Sequence, residues 1–487
     1  MAKTKKRDLL IDADKMLRRL SCTMGLRIIA SPDNDAVDRF LDLGDGEVWL
    51  GRTPDEDSHF RIAGANVWIH DSAISQAHLH IDCRGRTSEA WIEDKGSSNG
   101  TWVNGQRTAK AHLKGQEVIR IGDSLLVYCP RTPEPATDPQ EMGMVGRSAA
   151  LHAVRQAIME CASSDLVALV TGESGCGKEL VAEAIHTTSG RQGPLLPVNL
   201  NATTETLVDS QLFGHVRGAF SGATADRKGY FETATDGTLF LDEIGEISTA
   251  IQVKLLRAID RKEVIRMGEA TPRKCNARVV AATNRDLQAA VDDNNFRSDL
   301  FFRLNQHAIE VPPLRTRRED IPVLWTHFLK KTAQQRLNAD ADLMEALLIY
   351  PWPGNVRELK SLAERFKTRL VAGESLSIHD LPQKIQDHLL AARRGRGDQL
   401  VSPELSANVA EPGQKDATPA DHRVLPPRAR PTPEALRDAL ARHRGNIAAV
   451  GREMGRKREQ IHRWVQTFGI NIDAYRDQKP PPPSELN

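Results

Sequence analysis

"LVALVTGESGCGKELVAEAIH" (166–186) runs from an apolar stretch through three glycines into apolar residues at helical spacing. Read as strand, loop and helix, it sets Gly172, Gly175 and Gly177 where backbone N–H groups converge, and Lys178 adds a charge at the helix N-terminus. With Glu173, Ser174 and Cys176 between them, these residues match GxxxxGK, a loop that cradles phosphate; a glycine turn ahead of a structural helix is the bland alternative. Glu179 stands where a general phosphate loop has a magnesium-binding Ser or Thr. "GTLFLDE" (237–243) supplies a second half: an apolar strand, then Asp242 to hold a magnesium shell and Glu243 to polarise an attacking water.

Groups that sense a terminal phosphate follow. "VVAATNRD" (279–286) ends another strand in the polar pair Thr283 and Asn284. "NNFRSDLFFRLN" (294–305) holds Arg297 and Arg303, either a solvated helix face or arginines supplied in trans to a transferring phosphoryl group. "YPWPGNVRELK" (350–360) offers Arg357 at a helix start. Between the two acid-bearing motifs, "GAFSGA" (Gly218, Ala219, Phe220, Ser221, Gly222, Ala223) sets an aromatic among small residues with no amphipathic period. Its glycines let the loop reposition, and Phe220 offers apolar area to a partner.

At 487 residues the chain is long enough for about three domains. A net charge of +1 excludes a broadly basic protein, so any nucleic-acid site is local. No apolar run approaches the ~18 residues of a membrane span, and "MAKTKKRDLL" leads into no signal-type core. Six scattered cysteines with no CxxC pair fit a reducing cytoplasm. Pro-rich or aromatic-free stretches mark linkers at 131–142 and 388–431. The expected divisions are an extension (1–22), an all-β block (23–130), an α/β block with a parallel sheet (143–387), an all-α block (432–475) and a tail (476–487).

GESGCGKE, GAFSGA, GTLFLDEIGE, ATNRDL, FRSDLFFRLN, VPPLRTRREDIP and PWPGNVREL occur in this order. Together they resemble the central AAA+ domain of bacterial sigma-54-dependent transcription activators, in which the GKE ending is usual. The resemblance implies a P-loop ATPase with an α-helical lid from about 315, using ATP and Mg2+. It makes Lys178 the Walker A lysine, Asp242 and Glu243 the Walker B pair, and Thr283–Asn284 and Arg357 the two sensors. Asn199, in "PVNLNAT", becomes the residue that restrains the catalytic glutamate. Arg297 and Arg303 become fingers into a neighbouring subunit, which implies a ring, commonly a hexamer. GAFSGA resembles the GAFTGA loop that touches sigma-54, with Ser221 in place of threonine. A regulator that has lost sigma-54, and a scaffold that uses the ring only to oligomerise, are the competing readings.

Within 24–129, "LGR" (50–52), "SQAH" (75–78) and "EDKGSSNGTWVNG" (93–105) resemble a forkhead-associated (FHA) β-sandwich that reads phosphothreonine. Arg52 would give phosphate a bidentate donor, Ser75, Ser98 and Asn99 would add hydrogen bonds that fix the peptide, Gln76 stands where asparagine is frequent, and His78 reads as a structural brace. "AHLHIDC" (77–83) alternates, with Ala77, Leu79, Ile81 and Cys83 expected on one face and His78 on the other. Residues 432–471 read as three helices, the last burying Ile461, Trp464, Val465 and Phe468. Arg456, Lys457, Arg458, Gln460, His462 and Arg463 then face outward, as a recognition helix or as a basic solvated face. The segment resembles the Fis-type helix-turn-helix of the same activators, implying double-stranded DNA as a partner.

Overall fold

The structure, a computed structural model, describes residues 23–44, 46–54, 59–84, 89–132, 142–201, 204–329, 340–371, 376–395 and 433–443, with Val450, Ile461 and Val465. Residues to 404 form one unit and those from 405 a second.

The turn-punctuated β runs at the start of the first unit become strands β1 (Met24–Ala30), β2 (Phe40–Asp42), β3 (Glu47–Arg52), β4 (Arg61–Ala63), β5 (Asn66–Ile69) and β6 (Leu79–Asp82). They continue as β7 (Ala90–Asp94), β8 (Thr101–Val103), β9 (Gln106–Thr108), β10 (Lys110–Leu113), β11 (Val118–Ile121) and β12 (Ser124–Pro130). Two sheets result, ordered β2-β1-β12-β11-β8-β9 and β10-β7-β6-β3-β5-β4. Leu26, Ile119, Leu126 and Tyr128 from one meet Leu50, Ile69, Leu79 and Ile81 from the other in a single core. The expected face of 77–83 is corrected in part. Leu79, Ile81 and Cys83 are buried, but the strand begins only at Leu79, leaving Ala77 exposed and His78 fully buried.

The middle block is a parallel sheet. It comprises β13 (Ala168–Thr171), β14 (Leu195–Asn199), β17 (Thr238–Asp242), β20 (Arg278–Thr283) and β21 (His307–Glu310), in the order β14-β17-β20-β13-β21. Alternate residues supply its two faces. Leu169, Leu239, Leu241, Val279 and Ala281 enter one core; Val170, Phe240, Val280, Ala282 and Ile309 enter the other. Crossovers run through α1 (Ala149–Ala162), α2 (Lys178–Ser189), α3 (Glu205–Phe213), α4 (Tyr230–Thr233), α5 (Thr249–Arg261), α6 (Leu287–Asp292) and α7 (Ser298–Leu304). Two small hairpins, β15 (Gly214–His215) with β16 (Arg227–Lys228) and β18 (Glu263–Val264) with β19 (Arg273–Lys274), project from this layer. Four helices form a lid: α8 (Ile321–Leu329), α9 (Ala341–Ile349), α10 (Asn355–Val371) and α11 (Gln383–Arg393).

The lid also covers the β-sandwich. Along β12, Leu126 and Tyr128 point into the sandwich core, while Leu125, Val127 and Cys129 join Trp325, Leu347 and Leu389 of the lid. Polar contacts fix the seam. The Arg318 backbone N–H donates to Gln116 Oε1 at 2.7 Å, and its guanidinium donates to Asn104 Oδ1 at 3.0 Å. Arg120 donates to Asp342 and, at 2.8 Å, to Glu345.

In the second unit, α12 (Pro433–Arg442) buries Leu436, Ala439 and Leu440 at helical spacing; Val450 and the expected Ile461 and Val465 are buried as well. Arg456, Lys457, Arg458, Gln460, His462 and Arg463, with Trp464 and Phe468, lie outside the described residues. Among the described residues no helix is long and apolar enough to cross a membrane.

One group on the seam gives a pH signature. Burial beside Asp320 pushes the Glu319 carboxyl up to about 7, and its Oε2 has no hydrogen-bond partner. A raised carboxyl contributes fully below its unfolded value near 4.5 and loses that contribution as pH rises through about 7. Glu319→Gln is therefore expected to raise the urea midpoint at pH 8 and leave it unchanged at pH 5; equal midpoints at pH 8 would contradict the assignment.

Candidate functional site

The parallel register brings the sequence-predicted residues to one edge. Asn199 and Asp242 are register partners at the ends of β14 and β17, and Thr171 and Thr283 end β13 and β20. Ligand-binding residues of such sheets collect at the carboxyl ends of strands. Between them the loop 172–177 carries Gly172, Gly175 and Gly177, all at positive φ. Helix α2 begins at Lys178 with no side chain capping its first turn, so its leading N–H groups face the loop's mouth. Lys178 is buried, its ammonium on the carbonyls of Gly172 at 2.9 Å and Glu173 at 3.3 Å. Glu179 follows in the first turn, exposed.

Asp242 and Glu243 diverge. Asp242 Oδ2 accepts from the Asn199 amide at 3.4 Å, and its carbonyl from the Leu200 N–H at 3.0 Å. Asn199 thus touches the first acid, where the resemblance implies a restraint on the second. Glu243 takes a left-handed φ of 57°, and its Oε2 accepts from the Asn284 N–H at 3.4 Å. That φ is costly for a non-glycine, and it sets Glu243 off the strand beside Asn284. Thr283 is fully buried, its hydroxyl accepting from the Arg285 N–H, and Asn284 is exposed. An N–H-lined loop with one ammonium, beside a strand-end carboxylate, fits a triphosphate with a hard cation.

The lid closes on the loop through the expected Arg357 and through Arg315, Arg317 and Asn355, to which the motifs give no role. Arg315 forms a two-bond pair with Glu173 at 2.6 and 2.7 Å, and the Asn355 amide donates to Glu173 Oε2 and to the Ser174 carbonyl, both at 3.1 Å. The Arg315 bonds hold the Glu173 carboxyl below its usual range. Arg357 bonds Ser174 Oγ at 3.2 Å, and the Arg317 guanidinium donates to the Cys176 carbonyl at 3.0 Å. Both VPPLRTRREDIP and PWPGNVREL were visible as motifs, but nothing in their spacing pairs Arg315 with Glu173.

Arg297 pairs with Asp299 on its own helix, and Arg303 with Asp260 of α5. Gly218–Ala223 lie between β15 and β16, with Ser221 and Gly222 exposed. Phe220 is half-buried, its ring edge-on to His215 at 5.0 Å, so the aromatic expected to be presented outward is tucked in. His215 Nδ1 bonds Ser210 Oγ at 2.8 Å on α3.

In the sandwich, Arg52, Ser75, Ser98 and Asn99 are brought together and Gln76 is exposed beside them. The Arg52 guanidinium donates to the Ser72 carbonyl at 3.3 Å; Ser75 Oγ accepts from the Ser98 N–H at 3.1 Å; the Asn99 amide donates to the Ala73 carbonyl at 2.8 Å. A side chain at Gly51 would meet the Gln76 carbonyl oxygen at 1.8 Å, so only glycine lets this loop lie against β3. His78 is the expected brace, accepting from the Ser75 N–H at 3.2 Å, and burial lowers its pKa.

Comparison with known proteins bears on the same regions. The Sigma-54 interaction domain matches residues 144–310, an AAA+ ATPase lid domain 315–396, and an FHA domain 48–122. The transcriptional regulatory protein ZraR of Escherichia coli K12 is 48% identical over 52% of this chain and 58% of its own length. The chain therefore spans little more than half of that relative. The DNA-binding transcriptional regulator NtrC of Rhizobium meliloti is 35% identical over 73% of this chain and 76% of its own. NtrX from Brucella abortus, solved in complex with ATP, is 30% identical over 67% of this chain and 69% of its own, with a TM-score of 0.45.

Gly175 tests the loop–lid contact. A methyl there would lie 2.5 Å from the Gly354 carbonyl oxygen, at a φ of 77°. Gly175→Ala is expected to weaken binding of a fluorescent ATP analogue by about tenfold or more with an unchanged circular-dichroism spectrum; wild-type affinity would contradict the geometry. An FHA sandwich joined to an α/β AAA+ layer and its lid, matched over three quarters of a DNA-binding transcriptional regulator, places this chain in the sigma-54 interaction-domain family of transcriptional regulators.

Proposed function

We propose that this chain is a cytoplasmic ATPase that assembles as a ring, commonly a hexamer, and remodels sigma-54 RNA polymerase from the closed to the open promoter complex. It would bind upstream double-stranded DNA through residues 432–475 and take its input from a phosphothreonine protein at Arg52, Ser75, Gln76, Ser98 and Asn99.

The observation that carries this reading is the short path from the acids to the GAFSGA loop. Asn199 touches Asp242 at the end of β14, α3 follows it, and Ser210 on α3 holds the His215 ring against which Phe220 rests. A change in charge at the strand ends can thus reach Phe220 through one hydrogen-bonded residue and one helix. Lys178 and the N–H groups of the loop bind phosphate, Glu243 positions and polarises the attacking water, and Thr283, Asn284 and Arg357 register the terminal phosphate. Asp242 would hold Mg2+, which supplies charge neutralisation at the leaving phosphates. Half-burial of Phe220 suits a loop that releases the ring when it engages its partner.

Arg297 and Arg303 flank Phe302, whose side chain is 71% exposed on α7. An exposed aromatic between two arginines is the composition of an interface core, and it supports α7 facing a neighbouring subunit's site.

Lys178→Ala and Glu243→Ala are expected to reduce steady-state ATP hydrolysis by about a hundredfold or more. Phe220→Ala should retain hydrolysis and lose open-complex formation with sigma-54 polymerase on a supercoiled template. If Phe220→Ala opened the promoter as wild type does, the remodelling role would be abandoned, whereas retained hydrolysis in Glu243→Ala would remove the assigned water-activating group.

A further inference from the structure

A cavity of about 420 Å³ lies where the FHA sandwich meets the lid. Asn99, Trp102, Arg120 and Asp123 line it from the sandwich, Asp342 and Arg393 from the lid. Asn99 follows Ser98, whose N–H donates to Ser75 Oγ, so the cavity opens beside the residues assigned to phosphothreonine.

Its charges are unevenly committed. Arg120 donates to Glu345 at 2.8 Å and also to Asp342; Arg393 donates to Asp342 at 2.6 Å and to Glu345 at 2.7 Å. The two guanidiniums are therefore engaged by lid carboxylates. Burial would raise the Asp342 carboxyl, but the bonds from Arg393 and Arg120 outweigh it and hold the group below its usual range. Asp123 has only a 3.3 Å contact to Arg120, and its side chain is 57% exposed. The lining thus carries two carboxylates (Asp123, Asp342) and two guanidiniums (Arg120, Arg393); buried Glu345 behind them helps to hold both guanidiniums, so Asp123 is the least committed of the four. An acidic ligand would have to displace a carboxylate; a cationic one would not. The Trp102 ring, with Arg393 5.9 Å from its centroid, already presents a face to one cation.

We propose that the FHA domain and the lid form one composite peptide site, in which a lysine or arginine flanking the phosphothreonine enters this cavity between Asp123 and Asp342. The proposal rests on the phosphothreonine reading above and adds the lid as half of the recognition surface. The same lid carries Asn355 and Arg357 on the phosphate loop. A peptide that touches both halves therefore acts on the element that closes the nucleotide site, and by linkage a nucleotide alters peptide affinity by the same factor.

The test uses the full chain with an oriented library of peptides fixed at one phosphothreonine, alongside the non-phosphorylated library. Wild type is expected to select Lys or Arg at a flanking position by about tenfold, the worth of one charge-assisted contact. Asp342→Asn and Asp123→Asn should lose that selection and keep phosphate-dependent binding. Basic selection persisting in Asp342→Asn, or selection for an acidic flank, overturns the composite site and leaves phosphothreonine recognition standing. No phosphate-dependent binding by wild type overturns both. Should Asp342→Asn fail to fold, hydrogen exchange decides: slowing at 340–345 on adding the selected peptide to wild type supports the proposal, and unchanged exchange there overturns it.

Discussion

The carboxylate of Glu173 is the point on which the two halves of the ATPase layer meet. It accepts from Arg315, ahead of α8, and from Asn355, the first residue of α10. A buried or half-buried carboxylate that satisfies two donors fixes both, because leaving either donor unpaired costs a desolvated polar group. The 172–177 loop is thus tied to the lid in this conformation. Gly175 lies under Gly354 in the same patch, where no larger residue fits. The backbone pays locally for this approach: Trp352, ahead of α10, and Asn355, its first residue, take left-handed φ angles of 49° and 51°.

What the lid holds on its other side gives this contact its reach. Leu125, Val127 and Cys129 of the sandwich share a core with Trp325 and Leu347. Four charged side chains, Arg120, Asp342, Glu345 and Arg393, close the edge of the seam, with Glu345 almost fully buried. Removing any one would strand the others, which makes the arrangement specific as well as adhesive. The lid therefore borders both candidate sites: it meets the 172–177 loop through Asn355 and Arg357, and the FHA loops proposed to read phosphothreonine through Asp342 and Arg393.

Much of this was legible in the sequence. The strand-end acids, the loop lysine and the sensor pair fall where an apolar run stops, and a parallel register carries all of them to one edge. The sandwich was legible from its turns, and Arg52, Ser75, Ser98 and Asn99 from their motif. One sign of the seam lies in "SLLVYC" (124–129), apolar without interruption from Leu125 to Cys129, where a sandwich strand wet on one face alternates. Its continuous burial is that of a strand covered on both faces. The ion cluster itself was not legible, because Arg120 and Asp342 lie 222 residues apart and long-range charge pairing leaves no periodic trace. The half-burial of Phe220 was hidden for a similar reason. Flanking glycines announce freedom of movement, whereas the His215 ring that captures it depends on the hairpin's closure.

Hydrogen exchange of the full chain, with and without a non-hydrolysable ATP analogue, tests the shared lid most directly. Residues 118–130 are expected to stay strongly protected in both states, since β12 is paired on both edges and Leu125, Val127 and Cys129 lie under the lid, while exchange at 353–358 slows when nucleotide binds. Rapid exchange across 118–130 in either state, or unchanged exchange at 353–358 when nucleotide binds, would contradict it.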